Sequence, residues 1–356
     1  MWRFFVSRLG SALLVLLVLT VVVFTLTRII PSDPAVVYAG PKAPPEELER
    51  IRERLGFDRP LPVQYLSYLG GLLTGDWGDS LSTRRPVLME FAVRLPATLE
   101  LLVAAMVLAL LLGVVLGVIA ARRPGGLTDG VIRFLAIGGI SMPAFWLGLL
   151  LQVVFVGWLG ILPATGQFSK ELAYISPVTP VTGFALFDAM ITGNVVALSD
   201  GVAHLILPAI TLAAYPAGLI ARMTRASMLE VQSQDYIFTA QAYGLRQRLI
   251  RWRLALRNAL PPTLTVTGLS AAYALTGTFF VEVVFNWPGI GQFAVNAMLS
   301  VDYPSILAIT MLGAVGYLLA NLLVDLAQAR IDPRIRISAS RPRRTRMRTP
   351  EGSLTA

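Results

Sequence analysis

The sequence predicts an all-α polytopic membrane protein with six transmembrane helices, and three observations support this class. The 356 residues are 55% hydrophobic and only 14% charged, with a mean hydropathy of +0.67, which is too apolar for a soluble globular domain. Apolar runs of about 20 residues, the length that crosses a hydrocarbon core, recur along the chain. Arginines concentrate between these runs, where positive charge orients membrane helices. The net charge of +9 is therefore not interpreted as a nucleic-acid interface.

The six predicted spans are residues 9–30, 97–121, 131–158, 203–222, 263–284 and 305–328. The first, which closes the N-terminal segment 1–30, is longer than the apolar part of a signal peptide and lacks a small-residue cleavage site, so we expect it to remain a membrane helix. Gly113 and Gly117 in the second form a small-xxx-small pattern, which is typical of closely packed helices. Ser141-Met142-Pro143 predicts a kink in the third.

A different structure is predicted for each of three segments outside the spans. Residues 31–94 predict an extracytoplasmic loop subdomain with a charged helix at about 45–55. Residues 184–198 are too short to cross a bilayer and predict an interfacial or packed helix. Residues 330–356 predict a basic, disordered cytoplasmic tail. The distribution of basic residues over the loops places both termini in the cytoplasm.

The residue inventory excludes several kinds of chemistry. The chain has no cysteine and a single histidine, His204, which we expect at the membrane interface and not as a metal ligand. Lys42 and Lys170 do not belong to a phosphate-binding glycine loop, so this chain is not expected to bind ATP. For Glu100 and Glu282, near helix ends, interfacial solvation is favoured over a buried proton relay. No catalytic residue, metal site or cofactor is therefore predicted.

The most informative stretch lies in the basic loop 225–262. Tyr236, Ala240 and Tyr243 recur at helical spacing, and Gly244 follows where a helix ends in a left-handed residue. A second apolar stripe then ends at Pro261-Pro262. Its members, at spacings of 4, 3 and 4, are Leu245, Leu249, Trp252 and Leu256. The pattern predicts an amphipathic hairpin of two helices.

These residues resemble the EAA loop of binding-protein-dependent ABC import permeases. Ala240, Gly244 and Leu256 match that pattern, and Leu254 replaces its isoleucine. The departures, at Phe238, Thr239 and Arg257, favour the dipeptide, oligopeptide and nickel branch. The residues that match the loop of this branch are Asp235, Tyr236, Thr239, Ala240, Ala242, Gly244 and Leu245. Residues 55–81, 94–101 and 282–292 resemble the same branch.

The resemblance implies a type I ABC importer permease fold, with residues 95–329 as a core of five helices. The chain would form half of a path for di- or oligopeptides in a bacterial inner membrane, surrounded by lipid. Its partners would be a second homologous permease, an extracytoplasmic binding protein and two ATPase subunits that bind ATP and Mg. Coupling to the ATPases would fall to Asp235, Tyr236, Thr239, Ala240, Ala242, Gly244, Leu245 and Leu256.

Other functions stay open from the sequence. The cargo could be a nickel chelate or another small solute, and the chain could be a stand-alone secondary carrier. An integral-membrane enzyme or scaffold is disfavoured, because no cluster of acids, nucleophiles or metal ligands occurs at a membrane face. The sequence does not identify substrate-binding residues.

Overall fold

The structure, a computed structural model, describes residues 2–29, 36, 43–56 and 58–331. The tail predicted for 330–356 therefore lies outside the described residues, apart from its first two. Over the described ranges the chain is helical, and one isolated antiparallel bridge pairs Asp79 with Pro86. The all-α class predicted from composition is confirmed.

The described helices give the chain its order. They are α1 (Trp2–Ile29), α2 (Pro45–Leu55), α3 (Leu61–Thr74), α4 (Val87–Ala120), α5 (Leu127–Ser141), α6 (Ala144–Trp158), α7 (Leu172–Ile175), α8 (Ala185–Ile191), α9 (Val195–Gln232), α10 (Asp235–Ala242), α11 (Gln247–Val284), α12 (Ile290–Leu299) and α13 (Tyr303–Ile331). Two stretches are π-helical, Val153–Trp158 at the end of α6 and Ile250–Ala255 near the start of α11.

Four helices among the described residues are long and apolar enough to cross a membrane: α4, α9, α11 and the Tyr303–Leu322 part of α13. The pair α5 and α6 adds a fifth crossing if the two together form one span. The N-terminal helix α1 is 28 residues long and contains the shorter apolar stretch Leu13–Leu26. The multi-pass architecture is confirmed, and the total of six spans stays a prediction.

Two spans begin earlier than predicted, and both helices contain prolines. α4 starts at Val87 and contains Pro96, so the domain boundary predicted between residues 94 and 95 falls within this helix. α9 starts at Val195, not near residue 203, and contains Pro208 and Pro216. An internal proline removes one backbone hydrogen bond. Tertiary packing compensates for that loss, because Pro208 and Pro216 themselves are buried.

The kink predicted at Ser141-Met142-Pro143 is a full break. Met142 has an extended backbone, with φ −84° and ψ 131°, and the axes of α5 and α6 differ by 111°. Pro143 has no N–H with which to continue the hydrogen bonding of α5, so α6 begins as a new helix at Ala144.

The helix α9 lies at the centre of the fold. It packs most extensively on α4 and α11, and also on α5 and α6. Small and branched side chains fill the shared core, among them Leu101, Ala105, Leu212, Ile220 and Val281. All five are buried, so the two flanking helices are held through α9.

Glycines allow the backbone of α9 to approach two of its neighbours. A Cβ atom on Gly117 of α4 would lie 2.5 Å from the Cβ of Thr224, and one on Gly113 would lie 2.6 Å from the Cβ of Ile220. On the side facing α5, a Cβ on Gly218 would lie 2.6 Å from the Ala136 carbonyl oxygen. The close helix contact predicted for Gly113 and Gly117 is therefore confirmed.

The segment 184–198 is too short to span the membrane, as predicted. It is not the single helix that was expected, because it contains α8 and the start of α9. α8 ends before Gly193, whose φ of +69° suits glycine, and Asn194 then caps α9 by accepting the Ala197 N–H at 3.0 Å. The Asp188 carboxylate binds the preceding turn through the backbone N–H groups of Val181, Thr182 and Gly183. The local turn and cap interrupt what looked like one apolar helix.

The segment between α1 and α4 contains the predicted charged helix as α2. It is tied to the rest of the fold at two places. The Tyr65 hydroxyl of α3 lies 2.8 Å from Thr20 Oγ1 of α1. The buried Asp302 carboxylate, just before α13, accepts hydrogen bonds from the Ser80 hydroxyl at 2.6 Å and the Ser82 backbone at 3.2 Å.

Candidate coupling site

The candidate coupling site is the hairpin formed by α10, the turn at residues 243–246 and the first part of α11. The helix α10 ends at Ala242, and Gly244 follows with φ +75°, the left-handed conformation predicted for it. A Cβ added to Gly244 would meet no atom within 4 Å. Glycine is therefore required by the backbone conformation and not by crowding within this chain.

One side of the hairpin is anchored in the chain itself. Ile237 is fully buried and Ala240 is 8% exposed, and both pack in a cluster with Met228 of α9 and Ile250 of α11. Val118 near the end of α4 belongs to the same cluster. The hairpin is thus joined by apolar contacts to three of the central helices.

A hydrogen bond links the two arms of the hairpin. The Asn258 side-chain amide donates to the Tyr236 hydroxyl at 2.7 Å. A cleft of about 290 Å³ lies beside this bond, lined by residues that include Glu230, Gln234 and Pro262. The arms are therefore fixed relative to each other as well as to the core.

The opposite side of the hairpin is exposed and mixes apolar with basic side chains. Tyr243 is 82% exposed, and Phe238 and Leu245 also face outward. Exposed arginines follow the turn, at positions 246, 248, 253 and 257. In the part of the chain that the structure describes, none of these four guanidinium groups forms an ion pair. A surface of this composition is typical of a protein contact.

The second arm differs from the prediction in two respects. Pro261 and Pro262 do not stop it, because α11 continues through them to Val284, so the second arm and the predicted fifth span are one helix. The predicted stripe is also not the packed side: Leu249 and Trp252 are exposed, whereas Ile250, Ala255 and Ala259 are buried. The π-helical stretch changes the angular position of the residues after it, so regular helical spacing points to the wrong face.

The eight predicted coupling residues fall into two groups. Exposed ones are Asp235, Tyr236, Thr239, Ala242, Gly244 and Leu245. Ala240 faces inward, and Leu256 is partly buried. The structure thus brings all eight to one hairpin, with Ala240 in the anchored side and the six exposed residues available to another chain.

An ion pair that the sequence analysis did not single out lies near the same end of the fold. Arg225 of α9 donates two hydrogen bonds of 2.6 Å to Asp129 of α5, and the Asp129 side chain is buried. The Gly125 N–H donates to the same carboxylate at 2.9 Å. The pair connects α5 to α9 above the hairpin. Its only sequence signal was an acid in the first turn of a helix next to an apolar span.

The two glutamates and the histidine are more enclosed than predicted. Glu282 is completely buried, and its carboxylate accepts hydrogen bonds from Thr98, Gly291 and Gln292. Glu100 is partly buried and accepts from the Gln167 side chain and from the Leu186 N–H at the start of α8.

His204 is 7% exposed, and its Nδ1 lies 2.8 Å from the Asp200 carbonyl oxygen. The prediction of interfacial solvation was therefore wrong for Glu282, whereas the position of His204 at the membrane interface stays a prediction. Tertiary partners that are distant in sequence hold the Glu282 carboxylate, and periodicity cannot reveal such partners.

A search of the described residues for three or more His, Asp and Glu side chains that could hold one metal ion finds no such group. The arrangement that the structure does present is mechanical: a folded hairpin, anchored on one side and open on the other, at the ends of two long helices.

Similarity to known proteins identifies the class to which this chain belongs. The fold and the hairpin define a multi-pass membrane component of a transport system. Residues 113–337 match the family described as "Binding-protein-dependent transport system inner membrane component", and residues 1–102 match the family of its N-terminal part. The chain belongs to this family of inner-membrane transport components.

Curated relatives align along nearly the whole chain. The "Probable D,D-dipeptide transport system permease protein DdpB" of Escherichia coli is 43% identical, with 94% of this chain and 97% of the relative covered. The "Di/tripeptide transport system permease protein DppB" of Pseudomonas aeruginosa is 42% identical, with coverages of 94% and 99%. The "Glutathione transport system permease protein GsiC" of Pectobacterium atrosepticum is 38% identical, with the same coverages.

Proposed function

We propose that this chain is the permease subunit of an ATP-driven importer for di- or oligopeptides. It forms one half of the path across the membrane, and a second homologous permease forms the other half. An extracytoplasmic binding protein delivers the peptide, and two ATPase subunits bind ATP and Mg. The family membership and the peptide transport named for several relatives support this proposal.

The observation that carries the proposal is the two-sided hairpin. Its inner side, with Ile237 and Ala240, packs on α9, α4 and α11. Its outer side presents Phe238, Tyr243 and Leu245. A helix that serves only to connect two spans would not need this exposed aromatic and apolar surface.

The geometry suggests how ATP binding would be transmitted. The chain leaves α9 at Gln232 and enters α10 at Asp235, and α11 starts five residues after α10 ends. A displacement of α10 by an ATPase subunit therefore acts on both long helices at once. Because cores are close-packed, such a shift moves the helices and is not absorbed locally. The two helices also line a surface groove at Tyr215 and Tyr273, and this groove would open or close as the helices move.

Each exposed coupling residue has a physical role in this proposal. Asp235 lies in the first turn of α10, where a carboxylate interacts favourably with the helix dipole. The exposed Thr239 donates its hydroxyl to the Asp235 carbonyl at 3.0 Å, so that this polar group is satisfied within α10. Ala242 keeps the outer surface flat next to the turn, and Gly244 sets the direction in which Leu245 leaves it.

Ala242→Trp is the variant that tests the contact most directly. Ala242 is exposed in this chain, so a larger side chain is compatible with folding and blocks only an incoming subunit. We expect the reconstituted complex of permeases, ATPases and binding protein to lose substrate-stimulated ATP hydrolysis and peptide uptake. Ala242→Ser is the size control and should retain both activities. Normal coupling in Ala242→Trp would remove the hairpin from the mechanism.

Two substitutions at Gly244 separate the effect of the backbone conformation from the effect of an added side chain. Gly244→Asn tolerates a positive φ, whereas Gly244→Val forces a β-branched residue into it at a cost of about 1–2 kcal/mol. We expect coupling to survive in Gly244→Asn and to be lost in Gly244→Val at equal expression. Equal loss in both variants would mean that added bulk, not backbone direction, matters at this turn.

The cargo is tested by uptake into proteoliposomes that contain the whole complex. A di- or tripeptide, glutathione and a nickel chelate are each supplied with the binding protein. Uptake of the peptides that requires ATP and the binding protein supports the proposal. Transport by the isolated chain without ATPase subunits would instead show a stand-alone carrier.

A further inference from the structure

A groove runs along α9 and α11 on the surface of the described chain. It consists of two cavities of about 560 Å³ and 450 Å³ that share Tyr215 and Tyr273 in their walls. The two tyrosine rings approach with centroids 4.4 Å apart. Each cavity has the size of a small-molecule binding site.

The larger cavity has apolar walls with a few polar groups. Those groups belong to Arg222, Ser270, Thr276, Tyr317 and Asn321, besides the two tyrosines. Arg222 is the only charged side chain among the described residues that line either cavity. Among the described lining residues, one guanidinium group therefore carries the charge of this groove.

Arg222 differs from its neighbour Arg225 in having no carboxylate partner. Arg225, three positions later on α9, is paired with the buried Asp129 by two hydrogen bonds. No ion pair or hydrogen bond to the Arg222 guanidinium occurs within the described part of the chain. Among the side chains that the structure describes, Arg225 thus has a carboxylate partner and Arg222, in the groove, has none.

The smaller cavity is bordered by the break between α5 and α6. Its wall includes Ser141, Met142 and Pro143. Because Pro143 has no N–H, the Gly139 carbonyl lacks its helical donor. Broken backbone of this kind is tolerated at membrane depth only where it faces protein or water, not lipid tails. This indicates that the groove faces protein or water and not lipid tails.

We propose that Arg222 binds the terminal carboxylate of the peptide as it passes through the groove; this inference rests on the proposed function. A guanidinium group forms two parallel hydrogen bonds with a carboxylate, and the shared charge makes them strong. The apolar part of the wall and the neighbouring rings of Tyr215 and Tyr273 contact peptide side chains of varied size, without charge selection. Selectivity at this point is for a free carboxylate and not for a particular residue.

The test combines one substitution in the permease with one chemical change in the peptide, in the manner of a double-mutant cycle. The complete complex is reconstituted with wild-type or Arg222→Gln permease, and uptake is measured for a dipeptide and for the same dipeptide with a C-terminal amide. Binding protein is supplied in excess and loaded with each peptide. The ratio of variant to wild-type uptake is taken separately for each peptide, so that the preference of the binding protein cancels.

We expect Arg222→Gln to reduce uptake of the free acid about tenfold or more and to change uptake of the amide little, because only the free acid loses a hydrogen bond between two charged groups. Arg222→Lys keeps the charge and should recover part of the loss. Arg123→Gln, in the exposed turn after α4, removes one positive charge outside the groove and is the matched control. It should leave both ratios unchanged.

Equal reduction for acid and amide would overturn the inference. A lipid phosphate is the other ligand of similar chemistry, and it is tested by repeating the assay in vesicles with and without phosphatidylglycerol. An Arg222→Gln defect that appears only with the anionic lipid, for both peptides alike, would assign Arg222 to lipid. If the wild-type complex transports neither peptide, the proposed function itself fails, whereas wild-type uptake of both without the selective loss rejects only the role of Arg222.

Discussion

The Thr98 hydroxyl donates a hydrogen bond of 2.7 Å to the Glu282 carboxylate, joining α4 to α11 across 184 positions of sequence. Thr98 also accepts the Ile290 N–H at 2.9 Å, and Glu282 accepts the Gly291 N–H at 2.6 Å. The two side chains thus satisfy the first N–H groups of α12 in a buried place. Three helices meet at this junction, and a single carboxylate holds them.

Glu282→Ala should therefore strongly destabilise the protein. It leaves the Thr98 hydroxyl and the Gly291 N–H without their acceptor in a buried site, at about 1–3 kcal/mol for each unsatisfied group. Glu282→Gln keeps an acceptor oxygen in place and should lose less. Thermal unfolding of the purified protein in detergent measures both. An alanine variant as stable as the wild type would contradict a structural role for this carboxylate.

Gly117→Ala should weaken the contact of α4 with α9. The added methyl group would lie 2.5 Å from the Thr224 Cβ, so the helices must separate. Gly138→Ala in α5 is the matched control, because a Cβ there meets no atom within 4 Å. The control should be neutral or stabilising by about 0.5–1 kcal/mol, as expected for glycine to alanine in a helix. The measurement is the melting temperature of each variant. Equal values for Gly117→Ala and Gly138→Ala would show that the contact between α4 and α9 is loose.

The turn before α8 should be sensitive to acid. Burial raises the pKa of Asp188. Hydrogen bonds from the Thr182 hydroxyl and from three backbone N–H groups lower the pKa by a larger amount, so that its net value is about 2. The folded pKa lies below the ordinary value of 3.8, so the carboxylate stabilises the fold fully above that pH. This stabilisation is lost as the pH falls from about 4 to about 2.

The measurement is the difference in melting temperature between the wild type and Asp188→Asn as a function of pH. The difference should be largest above pH 4 and should shrink towards pH 2. Asp58→Asn, at an exposed position, is the control for a general effect of charge. A difference that does not change with pH would show that the Asp188 carboxylate does not carry the stabilisation.

Cysteine labelling tests the orientation inferred from the arginines. The chain has no native cysteine, so single cysteines give no background. In intact cells, an impermeant reagent should label Thr74→Cys and Thr179→Cys but not Arg123→Cys or Ser233→Cys, all of which are exposed positions. Ser80 is unsuitable because it is buried against Asp302. Labelling of Ser233→Cys from outside would reverse the proposed topology.

Local signals in the sequence were sufficient for the helical class and for much of the hairpin. Hydropathy identifies the spans because lipid requires long apolar helices, and Gly244 marks the end of α10 because its backbone needs a positive φ. The glycine pair in α4 also predicted a contact that exists.

The parts that were missed depend on contacts between distant residues. Pro96 and Pro261 are local signals for helix ends, and tertiary packing overrides them. The inward face of α11 could not be assigned because a π-helical stretch changes the helical period. The pairing of Arg225 with Asp129 is visible only when α5 lies beside α9.

The close approach of α9 to both α4 and α5 limits how the molecule can deform. Ile220 and Thr224 fit against glycines on one side, and Gly218 fits against a carbonyl group on the other. Rotation of α9 about its own axis would force these atoms into one another, so the three helices can only tilt together as one block. In the proposed mechanism, a displacement of the hairpin would therefore tilt this block of three helices, and the movement would increase with distance along the 38 residues of α9.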